Sequence, residues 1–279
     1  SYEAFLDFHR RLYHPSNSYI FIYGDGDIAH FLEHMAFNGT ANFPGKRMME
    51  WLEGIGVKFG YDLNAFTTRE YTCYRVSNVP LVRETVVDSC LLILHDWSHC
   101  ITLDGGEIDK ERGVIIEELR QGEGPARRMW CGAAPLLYGD TRYATRNLIG
   151  HIDGLSTFPH DELRDFYGRW YRPDLQAVIV VGDFDVDEME AKVRAVMSDI
   201  PAKENPEPKR RITLPDNAQP VVGLFTDPEA TMTSFSLYYK RPLRPFESRN
   251  TRQGNLNTLC DGMMMYAMNL RLAELAMRP

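Results

Sequence analysis

The stretch GDGDIAHFLEHMAFNGT, residues 24–40, sets His30-Phe31-Leu32-Glu33-His34 directly behind an acidic, glycine-punctuated run. In a helix, His30 and His34 stand one turn apart and face the same way, and Glu33, three residues past His30, shares that face. Two imidazoles and a carboxylate then converge on one point. Zinc suits such a set, because it takes His nitrogens at about 2.0–2.1 Å and a catalytic ion keeps three protein ligands with water in the fourth position. The pKa of such a water falls to about 7, so a neighbouring carboxylate can take its proton and pass it to a leaving amine. Glu33 is placed for that second role.

A third ligand is needed, and the acidic segment GGEIDKERGVIIEELRQ offers one. Glu107, Glu111 and Glu118 fall on one helical face, while Glu117 points about 100° away. Val114 and Ile115 flank the face, so a carboxylate there is expected to be partly buried and to want a cation. A solvated acidic face accounts equally well for Glu107 and for Glu111, and fits Glu118 less well.

Upstream, residues 1–13 carry Phe5, Phe8 and Leu12 at helical spacing, Pro15 stops that helix, and an apolar strand runs from Tyr19 to Tyr23. The segment HDELRDFYGRWYRPDLQAVIVVGDFD, 160–185, repeats this unit: Tyr13 matches Tyr171, Pro15 matches Pro173 and Gly24-Asp25 matches Gly182-Asp183, all at an offset of 158 (171 − 13). Two copies of one α-to-β element imply duplicated structural units. Between them, a helix over Arg47 to Gly54 precedes paired strands over Val57–Thr67 and Tyr71–Ser77, and long helices are expected at about 81–98 and 104–121. A polar, proline-bearing stretch from Pro201 to Pro215 has linker composition, and Val221 to Phe225 and Ser234 to Lys240 have strand patterns.

At 279 residues, 44% hydrophobic and 25% charged, the chain suits one large or two medium globular domains. A formal net charge of −8 argues against nucleic acid or an anionic membrane as the main partner. The five cysteines form no C-x-x-C pair, so core thiols are expected rather than a disulfide framework or a cysteine zinc site. No run of about 18 apolar residues suggests a membrane span. No signal peptide opens the chain, and the compartment is left open.

Several features carry no chemistry on this reading. His95 and His99 also stand at i, i+4, but with no acidic partner in evidence they are assigned to packing. His9, His14, His151 and His160 are isolated. Met263-Met264-Met265 is expected in a core, and Gly122-Glu123-Gly124 is a turn rather than a phosphate loop.

With AHFLEHMAFNGT, FPGK, LNAFT, KERGVIIEE, FYGRWYRPD and VVGDFD in place, the sequence resembles the M16, pitrilysin-type, zinc metallopeptidases, called inverzincins for their H-x-x-E-H motif. The resemblance is nearest to a PqqL-like branch over 28–240, whereas residues 1–27 look more like a presequence-protease branch. It implies His30 and His34 as zinc ligands and Glu33 as the base. Glu118 would complete the ligand set, one Zn2+ per chain, with Glu111 as a supporting carboxylate and Glu117 as the fallback ligand. It also implies that Asn64, Ala65 and Phe66 dock an extended peptide beside the zinc by strand addition.

The implied fold is α+β: an M16-like half with a mixed, mainly antiparallel sheet backed by helices, plus the start of a second similar half. The expected divisions are 1–27, a helix-strand segment resembling the end of such a half; 28–200, the zinc-bearing half; 201–215, a linker; and 216–279, the incomplete non-zinc half. The implied function is a zinc-dependent endopeptidase or oligopeptidase acting on peptides or unfolded protein, with a second half or a homo-oligomer as possible partner. The alternative is a non-catalytic scaffold or peptide-binding subunit of a clamshell. Relatives place about two strands before the zinc helix, whereas here Asp27 meets Ile28 directly, so another segment must cover the apolar face of that helix. Relatives also draw Arg and Tyr residues from a full second half, which leaves the activity of this chain alone open.

Overall fold

The computed structural model describes residues 17–23, 28–209, 212–241, 244–249 and 251–277, with 17–23 and Phe246 described by backbone alone. The helix expected over 1–13, with His9 and His14, lies outside the described residues.

The segments form two compact units, one ending at Met232 and one starting at Thr233. The first is built on a sheet of four strands: β1 (Asn17–Tyr23), β2 (Leu63–Thr67), β3 (Tyr71–Val76) and β4 (Gln176–Val181). Their order is β2-β3-β1-β4 and every pairing is antiparallel. The α+β class therefore stands. β1, the strand just before the His-Glu-His motif, takes a central place between β3 and β4. Its partner β4 is the corresponding strand of the repeated unit, and Ile20 pairs with Val178, its own equivalent at the offset of 158. The two copies of the repeated strand thus meet across a local two-fold at that pair.

Helices pack against this sheet. The motif lies on α1 (Ala29–Met35), followed by α2 (Arg47–Gly54), α3 (Thr85–His99) and α4 (Gly105–Gln121). Beyond them come α5 (Pro125–Tyr138), α6 (Arg142–Thr145), α7 (Ile152–Thr157), α8 (His160–Trp170) and α9 (Val186–Met197). α1 buries Ala29, Phe31, Leu32 and Met35 in the core, so its apolar face is covered. Phe31 meets Phe158 edge-on at 4.8 Å. Trp97 of α3, fully buried, donates Nε1 to the carbonyl of Ala36 at 3.0 Å and stacks on Tyr74 of β3 at 5.2 Å. It thereby ties α1, α3 and the sheet at one point.

The NGT turn after α1 is held by a second buried group. Asp96 accepts from Thr40 Oγ1 (2.5 Å), from Asn42 N (3.0 Å) and from Asn42 Nδ2 (2.7 Å). Gly39, at φ +124°, is required there, because a Cβ would sit 2.9 Å from Gly45 N. Asp104 caps α4 by accepting from Gly106 N and Glu107 N. Arg112 then clamps α4 to the α7–α8 corner by donating to the carbonyls of Leu155 (2.6 Å) and Phe158 (2.7 Å).

Some expectations do not hold. Only Leu63–Thr67 of the stretch from Val57 is strand, because Val57–Asp62 is folded into turns at Gly56 and Gly60, both with positive φ. Neither Val221–Phe225 nor Ser234–Lys240 is strand; no partner strand lies beside them among the described residues, and Val222 and Leu224 are about nine-tenths exposed. The second unit consists chiefly of α10 (Phe246–Arg249) and α11 (Arg252–Ala276). Met263, Met264 and Met265 on α11 are exposed rather than in a core. Cys73 and Cys90 are buried thiols, but Cys131 and Cys260 are exposed. No helix of the described residues is long and apolar enough to cross a membrane.

Since Trp97 joins three elements with no space left around it, Trp97→Ala is expected to lower unfolding stability by about 3–5 kcal/mol in chemical denaturation. A loss under about 1 kcal/mol would contradict this account of the core.

Candidate metal and catalytic site

α1 and α4 bring the motif and the acidic face together. His30 Nε2 lies 3.6 Å from one oxygen of Glu118, and His34 Nε2 lies 3.2 Å from the other. The rings of His30 and His34 meet edge-on with centroids 4.7 Å apart. Donor atoms of His30, His34 and Glu118 all fall within 4.8 Å of one another. Bonds of about 2.0–2.1 Å in a tetrahedron put neighbouring donors about 3.3 Å apart, so a zinc ion fits this set with small adjustments.

The orientation of His34 suits the same purpose. Its Nδ1 lies 2.8 Å from Glu111 Oε1, so a proton held there is donated to that carboxylate and Nε2 is left with its lone pair toward Glu118. The other oxygen of Glu111 accepts from Asn38 Nδ2 at 2.7 Å, and Asn38 Oδ1 accepts from Lys46 Nζ at 2.5 Å. Glu111 is therefore locked on both oxygens.

Glu117 points elsewhere, to Arg120 and Gln121, and Glu107 pairs with Lys110 at the surface. Of the residues flanking the acidic face, Ile115 is buried but Val114 is 53% exposed, and the Glu118 side chain is half-exposed. Glu118 thus sits at the rim, where solvent can reach the site.

Glu33 is buried beside the two histidines, and its Oε2 accepts from Thr67 Oγ1 at 2.5 Å. Burial pushes its carboxyl up to about 6, with the Thr67 hydrogen bond opposing. Burial pushes His30 down to about 4, helped by the charge of His34 and opposed by Glu118. For His34, burial acts downward, but the hydrogen bond and charge of Glu111, with Glu118 and Glu33, carry it above its ordinary value. For Glu111, burial acts upward and is outweighed by the hydrogen bonds from His34 and Asn38, so its carboxyl is held low.

β2 is an edge strand, paired with β3 alone among the described residues. Asn64 and Phe66 are exposed on it and Ala65 is partly so, while the amide of Ala65 donates to Asn64 Oδ1. The sequence offered no role for Thr67, Asn38 or Lys46, although all three stand within or beside the quoted motifs. It also missed the acidic partners of His95, whose Nε2 lies 3.0 Å from Asp199 and whose Nδ1 lies 3.3 Å from Asp96. His160, too, has a partner, Asp109 at 2.8 Å.

A sheet backed by helices, with an inverted His-Glu-His motif facing a glutamate two turns past another, is the architecture of an inverzincin half. The family described as Insulinase (Peptidase family M16) matches residues 25–126, and the Peptidase M16 inactive domain matches residues 157–274. The chain belongs to peptidase family M16. It is 34% identical over 247 residues to the probable zinc protease PqqL of Escherichia coli K12, covering 88% of this chain and 26% of that protein. It is 27% identical over 252 residues to a zinc protease PQQL-like of Arabidopsis thaliana, covering 90% and 26%. Among solved structures, the first half of the periplasmic protease PqqL from Escherichia coli superposes with a TM-score of 0.66 at 35% identity, over 71% of this chain and 44% of that one. Pitrilysin shares the fold, with a TM-score of 0.58 at 22% identity over 72% of this chain and 22% of its own. The chain spans about a quarter of the length of the curated relatives named here.

In metal-free protein, proton titration by NMR is expected to find His30 near pH 4 and His34 above the ordinary histidine range. Glu111→Gln should bring His34 down. Because His30 takes its proton less readily in the folded chain than in the unfolded one, its contribution makes the fold less stable as pH falls from about 6.5 toward 4. His34 works in the opposite sense.

Proposed function

We propose that this chain is the zinc-bearing part of an endopeptidase or oligopeptidase acting on extended peptides or unfolded protein, with one Zn2+ held by His30, His34 and Glu118. The observation that carries this reading is the doubly oriented His34, with Nδ1 on Glu111 and Nε2 facing Glu118 and His30. The names of the relatives as zinc proteases support it.

His30, His34 and Glu118 would hold the zinc ion, which when bound would supply Lewis-acid polarisation of the scissile carbonyl and acidify the attacking water. Glu33 takes the proton of that water and delivers it to the leaving amine. Its burial suits the exchange, since a carboxyl raised to about 6 both accepts and returns a proton near neutrality. Glu111 holds the His34 ring in the tautomer and orientation the metal needs. Asn64, Ala65 and Phe66 on the open edge of β2 receive the peptide backbone by strand addition. The amide of Ala65 then exchanges Asn64 Oδ1 for a peptide carbonyl.

The divisions 1–27, 28–200, 201–215 and 216–279 remain the proposed organisation. Under it, the last segment opens a second, non-zinc half that completes a clamshell in the same chain or in an assembly. The match of residues 157–274 to a domain described as inactive favours a non-catalytic role for that part. It also keeps alive the alternative of a peptide-binding subunit.

Cleavage of a quenched peptide library, with and without a chelator, separates the two. The peptidase reading expects cleavage that the chelator abolishes and zinc restores, whereas a binding subunit expects none. Glu33→Gln is expected to abolish cleavage with stoichiometric zinc retained, and Glu118→Ala to lose zinc. Loss of zinc from Glu33→Gln with retention by Glu118→Ala would reverse the two roles.

A further inference from the structure

Behind Glu33 lies a row of hydroxyl groups that the metal site does not use. Thr67, at the end of β2, donates Oγ1 to Glu33 Oε2 at 2.5 Å. Directly across the ladder stands Thr72 of β3, whose Oγ1 is 3.1 Å from that of Thr67. Thr72 is buried and lies against the hydroxyl of Tyr171, and the Tyr171 oxygen is 2.7 Å from that of Tyr74. Tyr74 is fully buried and Tyr171 is 5% exposed.

Each hydroxyl has one proton to donate. Thr67 gives its proton to the Glu33 carboxylate, so the proton between the two threonines must come from Thr72. Behind them Tyr74 donates to Tyr171, whose hydroxyl lies against Thr72. The protons of Thr67 and Thr72 both point toward the carboxylate. Run in reverse, the row would leave the hydroxyl of Tyr74 without an acceptor among the described residues, in a fully buried position where that is costly. Aligned hydrogen bonds of this kind strengthen one another in a low-dielectric interior.

We propose that Thr67, backed by Thr72, Tyr171 and Tyr74, is the positioning device of the general base: it pins Oε2 of Glu33 and leaves Oε1 for the attacking water. This inference rests on the role given to Glu33 above and deepens it. It also assigns a purpose to Tyr171 in the repeated FYGRWYRPD segment, beyond filling the core. These are positioning residues, since none of the four is a metal donor and each acts through its neighbour.

The test uses Thr67→Val, Thr67→Ser, Tyr171→Phe and the Thr67→Val/Tyr171→Phe pair in the zinc-loaded protein, with kcat and KM on a quenched peptide, zinc content, thermal midpoint and a crystal structure of each single variant. Thr67→Val should lower kcat about 10- to 100-fold, as expected for a hydrogen bond to a charged group, with KM and zinc content unchanged. Thr67→Ser should restore most of the rate, and the Glu33 carboxylate should leave its position in the Val variant alone. Tyr171→Phe should lower kcat about 3- to 10-fold, and should cost nothing further once Thr67 is Val. A Val variant within about twofold of the parent, a Ser variant as slow as Val, or independent effects of Thr67 and Tyr171 would each overturn the proposal. If Glu33→Gln stays active in the same assay, or the zinc-loaded parent cleaves nothing, the reading beneath the proposal has failed and the proposal fails with it. If Glu33→Gln is dead while Thr67→Val is fully active, the proposal alone has failed.

Discussion

The burial of one face of a seven-residue helix governs the geometry of this unit. α1 is too short to be stable alone, so its shape comes from packing. Phe31, Leu32 and Met35 enter the core, and Trp97 reaches the Ala36 carbonyl at its C-terminal end. That docking sets the rotation of the helix, and the rotation decides where His30, Glu33 and His34 point. The two histidines, mostly covered, face α4, while Glu33 turns inward to Thr67 on β2. One packing choice therefore turns the two histidines toward α4 and Glu33, from the same helix, toward β2.

Electrostatics follows from the same placement. A carboxylate and two imidazoles brought from water into a partly buried site lose solvation, which raises Glu33 and lowers His30. The compensation is unequal. Glu111, with both oxygens hydrogen-bonded, makes His34 more basic than its neighbour one turn away, although both belong to the same short helix. A cation placed among His30, His34 and Glu118 would meet one ring already oriented by a carboxylate and one whose Nδ1 has no hydrogen-bond partner among the described residues. The site is thus more rigid on the His34 side than on the His30 side.

Much of this was legible from periodicity. The i, i+4 histidines and the seven-residue spacing of Glu111 and Glu118 are local helical facts, and the structure brings these residues together. Glu117, one residue from Glu118, shows how sharply the helical angle discriminates. What spacing could not supply were contacts between residues far apart in sequence: Thr67 to Glu33 at a separation of 34, Tyr74 to Tyr171 at 97 and His95 to Asp199 at 104. Such contacts depend on strand register and sheet order, which no local pattern encodes. The strand patterns at 221–225 and 234–240 failed for the converse reason. Alternating apolar residues state a preference for a sheet, but a strand needs a neighbour to satisfy its backbone, and none is present among the described residues.

The repeated unit explains why the acidic run before the motif is compatible with a folded core. Taken alone, residues 17–23 look like the closing strand of some other unit, because their counterpart at 176–181 ends one. In the sheet, the two are antiparallel neighbours about Ile20 and Val178, and β1 has β3 on its other side. An antiparallel pair related by a local two-fold presents the same hydrogen-bonding pattern from either strand, so a second copy of β4 is a natural partner for β4 itself. The central place in the sheet is filled by a copy of the strand that follows α8. The motif thus docks onto a sheet that the strand preceding it in the sequence has completed.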